Sequence, residues 1–457
     1  MSQNRSQAIA IIGGGYSGVM VAVHLLLSAT SPLTIKLIER RPVIGEGIAY
    51  STELDSHLLN VPAGKISSFA DDPDHFLRWL QNQNIPAVNA DTFVPRKLYS
   101  EYIQAILNQA EAGAATGVRL DRLHDEAVSL KTTPESVTIG LRSGEILKVD
   151  RVVLALGNLP AANPPVQDPS FYESKRYLSC VWSKKWLTNL SANDPLVLIG
   201  AGLTAFDVVV ALHRQGYKGT IDIVSRRGLL SQSHKSTDAY HSFLKAEQAP
   251  KNIRALVRLV RQEIKKALAL GYDWRAVIDT LRPENQAIWL ALPLSEQRRF
   301  LRHVRTYWDI HRHRAAPEVA QTITELIDAQ QVVVHAGRIL AYEEDADGVN
   351  VVIRHRGSTK TDILRAGLVI NCTGSQYNYR KYQHPLIQEL LTSGLINLHA
   401  LNLGLEVAPN GALVDANGNI SQQLYTLGPP QIGYLWETTA VPNIRQQAKL
   451  LAEELLL

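Results

Sequence analysis

Cysteine, long apolar runs and excess charge are all scarce in this sequence of 457 residues. The two cysteines, Cys180 and Cys372, are far apart and form no CxxC pair, which excludes a redox-active dithiol of the disulfide-reductase kind. No apolar run approaches the roughly 18 residues of a membrane span, and the polar start at residues 2–7 predicts no cleavable signal peptide and a cytoplasmic protein. The formal net charge of +4 is too small to indicate nucleic-acid binding.

Residues 8–39 carry a complete βαβ pattern for dinucleotide binding. An apolar run predicts a strand buried on both faces, and Gly13, Gly15 and Gly18 follow it as GxGxxG. In this motif the glycines permit a tight turn, a close approach of the backbone to a pyrophosphate, and close packing of helix on strand. After a helix-compatible segment and a second strand, Glu39 stands where an acid binds a ribose 2′-hydroxyl. A glycine-rich turn of another α/β protein would explain the glycines but not the strands, helix and acid together.

A second pattern of this kind begins at residue 196. A buried strand at residues 196–199 precedes Gly200, Gly202 and Ala205, which fit GxGxxA at the start of a predicted helix. A further strand is predicted at residues 220–224. The chain therefore contains two dinucleotide-binding patterns.

The second pattern ends in Ser225, Arg226 and Arg227 instead of an acid. Guanidinium groups accept a 2′-phosphate bidentately, whereas an acid would bind the free hydroxyl. Two arginines at a strand end are also compatible with simple solvation, but their place after a dinucleotide motif favours NADP over NAD. The sequence therefore predicts FAD in the first fold and NADPH in the second.

Residues 235–326 have apolar residues at helical spacing and are predicted to form a helical insertion. The region is basic, and solvated helix faces explain most of its charges. A metal site is a poor interpretation of its densest His and Arg group, because no cysteine or close acid pair completes it. Binding of NADPH phosphates or of an anionic substrate fits better, with the candidate substrate residues His311, Arg312, His313 and Arg314.

Further segments complete a predicted α/β protein with two dinucleotide-binding, Rossmann-like domains. Buried strands at residues 151–158 and 367–372 form a pair expected where the chain passes between the two folds. A helix predicted from residue 443 could direct its N-terminal amides toward the flavin pyrimidine edge. The predicted division is an FAD-binding domain at 1–160 and 367–457 and an NADP-binding domain at 161–234 and 327–366. The helical insertion at 235–326 separates the two parts of the NADP-binding domain.

These motifs together resemble the single-chain FAD/NAD(P)-binding oxidoreductases of bacteria and, more distantly, the class B flavin monooxygenases. The resemblance covers nearly the whole chain, and its specific parts include LNVPA at 59–63, GAGLTAFD at 200–207, NCTG at 371–374 and LWETTAVPNIRQQA at 435–448.

The resemblance also suggests a catalytic group. In the flavin monooxygenases an asparagine, an aromatic residue and an Asp-Pro pair lie beside the flavin and the nicotinamide, and Asn60, Phe69, Asp72 and Pro73 are similar to that arrangement. The FxGxxxHxxxY/F/W signature of that group is absent, and residues 181–183 occupy its region.

The cofactor-binding residues predicted from the motifs and the resemblance are Gly13, Gly15, Tyr16, Ser17, Gly18, Glu39, Arg40, Tyr50, Asn60, Val61, Arg96, Gly157, Gly200, Gly202, Leu203, Thr204, Ser225, Arg226, Arg227, Thr373, Gly374, Trp436 and Thr438.

The leading functional hypothesis is an NADPH-reduced FAD monooxygenase that oxygenates a small molecule, with molecular oxygen as co-substrate, through a C4a flavin adduct. Asn60 is the predicted catalytic residue, its amide bonding the adduct or the nicotinamide, although it could instead cap a turn. The alternatives are an NADPH dehydrogenase that passes electrons to a quinone or protein acceptor, and a flavin-bearing redox sensor. The sequence leaves the substrate and the oligomeric state open.

Overall fold

The computed structural model describes residues 7–83, 85, 87–182, 187 and 190–457. The polar start at residues 2–6, and Ser183 of the region compared with the monooxygenase signature, lie outside the described residues. No helix in the described ranges is both long and apolar enough to cross a membrane.

The strands are β1 (Gln7–Ile12), β2 (Leu33–Ile38), β3 (Val118–Leu123), β4 (Ala127–Thr133), β5 (Ser136–Leu141), β6 (Ile146–Val149), β7 (Arg151–Leu154), β8 (Tyr177–Leu178), β9 (Leu196–Ile199), β10 (Ile221–Ser225), β11 (Val332–Glu344), β12 (Val349–His355), β13 (Thr361–Ala366), β14 (Leu368–Asn371), β15 (Ala412–Val414) and β16 (Ile420–Thr426). The helices are α1 (Tyr16–Ser28), α2 (His75–Asn82), α3 (Arg96–Ala112), α4 (Leu203–Arg214), α5 (Ile253–Ala269), α6 (Trp274–Thr280), α7 (Asn285–Ala291), α8 (Leu294–His303), α9 (Arg305–Arg312), α10 (Pro317–Asp328), α11 (Pro385–Thr392) and α12 (Val441–Leu456).

The first compact unit comprises the N-terminal stretch to Glu53, Val61–Leu159 and Tyr377–Leu457. Its sheet has the order β15-β16-β7-β1-β2-β3, parallel except for β15 at the edge. Helix α1 packs against β1, β2 and β3 and against α3 and α12, whereas Ala10 and Ile12 of β1 join an apolar cluster with the β4-β5-β6 meander and α11. Because both faces of β1 are covered, its apolar run is continuous rather than alternating.

The second unit comprises Leu54–Asn60 and Pro160–Gln376. Its sheet has the order β13-β12-β11-β10-β9-β14-β8. Strands β11, β10, β9, β14 and β8 are parallel, and β12 and β13 are antiparallel additions. Helices α4 and α10 pack against each other, and the helical segment α5–α9 has its own apolar cluster.

The predicted division into domains needs correction at two places. Strand β14 pairs with β9 of the second unit, so the chain returns to the first unit at Tyr377 and the predicted resumption of the FAD-binding domain at residue 367 is wrong. The sequence of a short buried strand does not indicate which sheet the strand joins. The segment Leu54–Asn60, predicted within the first domain, also belongs to the second unit.

The helical insertion begins later than the predicted residue 235. Its first helix starts at Ile253, after Asn252, whose side-chain oxygen accepts a hydrogen bond from Ala255 N at 3.1 Å. This is a regular N-cap, in which a side chain satisfies an otherwise unpaired helix amide. Residues 235–252 contain only a short 3₁₀ turn at Ala246–Gln248.

Candidate functional site

The first glycine turn closes tightly on the strand beside it. Gly13 has φ of +111°, and a Cβ added there would lie 2.3 Å from the carbonyl oxygen of Ala155. A Cβ added to Gly18 would lie 1.9 Å from the oxygen of Gly13, so helix and turn touch backbone to backbone. Helix α1 starts after Gly15 with no side-chain cap and no acid in its first turn. Its free amides and the helix dipole therefore suit a pyrophosphate.

A loop covers this turn. Gly45 N donates to Gly14 O at 2.8 Å, and an added Cβ on Gly15 would lie 3.3 Å from the Cα of Gly47. Arg41 holds the loop through a hydrogen bond from its Nη1 to Gly47 O at 2.6 Å. The loop thus lies against the turn, and the close approach of Gly15 and Gly47 leaves little room for a side chain at either position.

Glu39 is buried beside the same turn, with 8% of its surface exposed. Its two carboxylate oxygens accept hydrogen bonds from Gly14 N at 2.7 Å and Arg41 N at 2.8 Å. A Cβ on Gly14 would lie 2.8 Å from the Cβ of Glu39, so Gly14 is a site residue that the motif treats as variable. Arg40 instead pairs with Glu126 at 3.0 Å.

Aromatic side chains pack behind the turn. The ring of Tyr99 lies 6.0 Å from that of Tyr16 and 4.9 Å from that of Tyr50. The hydroxyl of Tyr16 is buried without a hydrogen-bond partner, and burial raises its pKa above the usual range. An orphaned buried hydroxyl beside a nucleotide turn fits a missing polar ligand.

The other residues predicted for the first site lie in separate elements of the unit. Ser17 is buried in the first turn of α1, and Arg96 begins α3. Gly157 follows β7 with φ of +61°, while Trp436 and Thr438 are buried just before α12. Val61 is the first residue after the segment that joins the second unit. Their predicted contacts with the cofactor remain predictions.

The second glycine turn repeats the backbone geometry of the first. Gly200 has φ of +106°, and a Cβ there would lie 2.6 Å from Cys372 O, next to β14. Helix α4 starts after Gly202 without a side-chain cap, so the amides of Leu203 and Thr204 begin an open helix N-terminus. A Cβ on Gly202 would meet no atom within 4 Å. These residues form a cradle that a second pyrophosphate fits.

The two arginines after β10 differ in their surroundings. Arg226 is solvent-exposed, whereas Arg227 donates from Nη1 to the hydroxyl of Tyr307 at 3.1 Å and lies over that ring. Ser225 accepts a hydrogen bond from Gly228 N and so shapes the turn between them. Arg226 is therefore the better candidate for a phosphate contact.

Thr373 and Gly374 lie in the second unit, after β14. Thr373 donates from Oγ1 to the Oδ1 of Asn371 at 2.7 Å, and Gly374 has φ of +82° with open space around it. Gly157 after β7 is similarly open. The paired strands predicted at 151–158 and 367–372 thus each end beside one glycine turn of their own unit.

Asn60 lies in the second unit, whereas Phe69 and Asp72 lie in the first. The Asn60 carbonyl accepts a hydrogen bond from His234 Nε2 at 2.9 Å. Phe69 and Asp72 line a pocket of about 310 Å³ that also includes His24. The four residues compared with the flavin monooxygenases are therefore divided between two units.

The predicted substrate cluster is bonded internally. Arg314 is only 2% exposed and pairs with both carboxylate oxygens of Asp279, at 2.9 and 3.1 Å. His311 Nδ1 bonds Tyr307 O at 2.7 Å, and its ring meets Trp274 edge-on. The donors of Arg314 are directed to partners inside the helical segment, which argues against its predicted role in substrate binding. Arg312 and His313 keep substrate roles only as predictions.

Comparisons with known proteins agree with this geometry. Residues 10–159 match the family described as FAD-NAD(P)-binding. A nitrosuccinic acid synthase of Aspergillus oryzae is 26% identical over 228 residues, which are 45% of this chain and 35% of that relative. The match thus spans about a third of the relative's length.

Solved structures match over nearly the whole chain. The ornithine hydroxylase of Pseudomonas aeruginosa aligns with a TM-score of 0.67 and 14% identity over 99% of this chain and 98% of its own. The L-lysine 6-monooxygenase of Pseudomonas syringae aligns with a TM-score of 0.66 and 16% identity over 98% of both chains.

The two mostly parallel sheets and their glycine turns confirm the predicted α/β fold class, and the match of residues 10–159 to the FAD-NAD(P)-binding family agrees with the predicted kind of cofactor. Over 98–99% of its length the chain shares the fold of an ornithine hydroxylase and of an L-lysine 6-monooxygenase.

Proposed function

We propose that the protein is an FAD- and NADPH-dependent monooxygenase that oxygenates a small amine. The observation that carries the proposal is the pair of glycine turns, one covered and one open, within a fold shared with ornithine and lysine hydroxylases. The relative from Aspergillus oryzae, a nitrosuccinic acid synthase, adds support for oxygenation at nitrogen.

When bound and reduced, FAD supplies the chemistry that activates oxygen. The protein binds and orients: the amides of α1 hold a pyrophosphate, and Glu39 accepts from a ribose hydroxyl. In the second unit, the amides of α4 hold the NADPH pyrophosphate and Arg226 the 2′-phosphate. Asn60, in the same unit, bonds the nicotinamide through its side-chain amide.

The test uses the purified FAD-loaded protein with NADPH, isotopically labelled oxygen, and a panel containing ornithine, lysine, cadaverine and aspartate. We expect labelled oxygen in a hydroxylated product in proportion to the NADPH consumed. Consumption of NADPH with only hydrogen peroxide for every amine, but rapid transfer to a quinone, would replace the proposal by the dehydrogenase. The absence of the FxGxxxHxxxY/F/W signature is the observation that favours this second candidate.

A cytoplasmic location is also part of the proposal. Its support is that Cys180 and Cys372 are both free thiols, as expected in a reducing compartment.

A further inference from the structure

Two histidine hydrogen bonds join the segment that carries Asn60 to the rest of the second unit, one near its middle and one at its C-terminal end. His57, which is 5% exposed, bonds through Nε2 to the backbone carbonyl of Asp207 in α4 at 3.2 Å. His234 bonds through Nε2 to the backbone carbonyl of Asn60 at 2.9 Å. Both contacts are made within the second unit, to which Leu54–Asn60 belongs although the residues on either side of it belong to the first.

The acceptors fix the protonation of both rings. A carbonyl oxygen only accepts, so the hydrogen must reside on Nε2 of each histidine. Burial lowers the pKa of His234 to about 4, so the ring is neutral at pH 7 with Nδ1 unprotonated. The bond to Asn60 is therefore present throughout the neutral pH range.

The backbone around His234 is itself held by the chain after α9. His234 N donates to Ala315 O, and Ala315 N donates to Gln232 O, both at 2.9 Å. Arg275 adds a hydrogen bond from Nε to Ser233 O at 2.9 Å. A short ladder therefore sets the position from which His234 reaches Asn60.

Arg314 anchors this ladder within the helical segment. Its guanidinium pairs with Asp279 on α6, lies 5.3 Å from the ring centre of Trp274, and donates from Nε to His311 O. A buried arginine with a bidentate carboxylate holds one geometry, because both groups are costly to leave unpaired. The basic motif at residues 311–314 thus supports the residue next in the chain, Ala315.

We propose that His234 is a positioning residue for Asn60, and that the helical segment serves the reaction by fixing His234. The proposal rests on the proposed function for the role of Asn60 toward the nicotinamide. His57, near the middle of the same segment, bonds the helix whose N-terminus would hold the NADPH pyrophosphate. Asn60 and the proposed NADPH site are thereby held by elements of the same unit.

The experiment compares two substitutions at the same position, one that keeps a hydrogen-bond donor and one that removes it. His234→Gln keeps an N–H donor near the position of Nε2, whereas His234→Leu keeps a similar volume without a donor. His335→Leu is the matched control, because His335 lies in the same unit and bonds Asp222 instead of Asn60.

The first readout is hydrogen exchange in peptides that cover residues 54–60, measured without turnover. We expect exchange to accelerate about tenfold in His234→Leu and to stay near wild type in His234→Gln and His335→Leu. Unchanged exchange in His234→Leu would overturn the proposal. Because exchange is measured without turnover, it tests the contact of His234 with Asn60 independently of the reaction. Failure of NADPH to reduce the wild-type flavin would overturn the proposed function and not this contact.

The second readout is the rate of flavin reduction at saturating NADPH. We expect His234→Leu to lower this rate about 10- to 100-fold, with the NADPH dissociation constant within about threefold of wild type, because misplacement of a reacting partner acts on the rate. In the Asn60→Ala background, His234→Leu should add no further loss. Independent, multiplicative losses would show that His234 does not act through Asn60.

Discussion

The two glycine turns share a backbone but differ in how closed they are. At the first, Gly45 and Gly47 lie over the turn, and the acid Glu39 is buried beside it. At the second, Gly202 faces open space and Arg226 is exposed. The same motif therefore suits a resident cofactor in one unit and an exchanging one in the other.

The largest expected effect is at the third position of each motif. Gly18→Ala places a Cβ against Gly13 O, and we expect a loss of about 2–4 kcal/mol in the free energy of unfolding together with loss of FAD. Ala205→Gly, the opposite change in the second unit, should cost only about 1 kcal/mol, the usual cost of glycine in a helix. Denaturant titration measures the free energy of unfolding of each variant. Equal losses in the two variants would contradict the tighter packing inferred for the first turn.

The second positions separate the two cofactors. Gly15→Val fills the space between the turn and Gly47, and we expect it to purify without flavin. Gly202→Val points into open space and should keep full flavin absorbance while weakening NADP⁺ binding at least tenfold. Flavin absorbance per chain measures the FAD content, and calorimetric titration measures the affinity for NADP⁺. A fully yellow Gly15→Val protein would refute the first-site assignment.

Substitutions of the two arginines test whether the second glycine turn prefers NADPH to NADH. Arg226→Ala should raise the KM for NADPH about 10- to 100-fold and leave that for NADH nearly unchanged, since it removes one charge-assisted phosphate contact. Arg227→Ala should have a smaller effect, because that side chain already bonds Tyr307. Equal losses with both nucleotides would mean that Arg226 does not bind the 2′-phosphate.

Each unit also holds one histidine whose pKa burial lowers from 6.5 to about 4, His24 in the first and His234 in the second. Between these values the unfolded chain binds more protons, so the contribution to stability is full above pH 6.5 and is lost toward pH 4. We expect about 1–3 kcal/mol from each group. His24→Gln and His234→Gln should each flatten the dependence of denaturant midpoints on pH in this window. A slope unchanged in both variants would contradict the lowered pKa values.

Local pattern was enough to predict both βαβ units, because strand, turn and helix are neighbours in sequence. The sheet that β14 joins was not predictable, since GLVINC would suit either buried site. The burial of Arg314 depends on Asp279, far from it in sequence, so charge spacing alone suggested a binding cluster. His57 and His234 gave no signal because their partners are backbone carbonyls.

The order of the chain sets an order of synthesis. Residues 54–60 are made early, and everything else in the second unit lies between Pro160 and Gln376, so the second unit is complete once residue 376 has left the ribosome. The first sheet must wait for β16, whose Thr426 bonds Leu154 O. Until β16 is made, the nascent chain therefore exposes the unpaired edge of β7. This edge is where we expect chaperone binding or non-native strand pairing during translation.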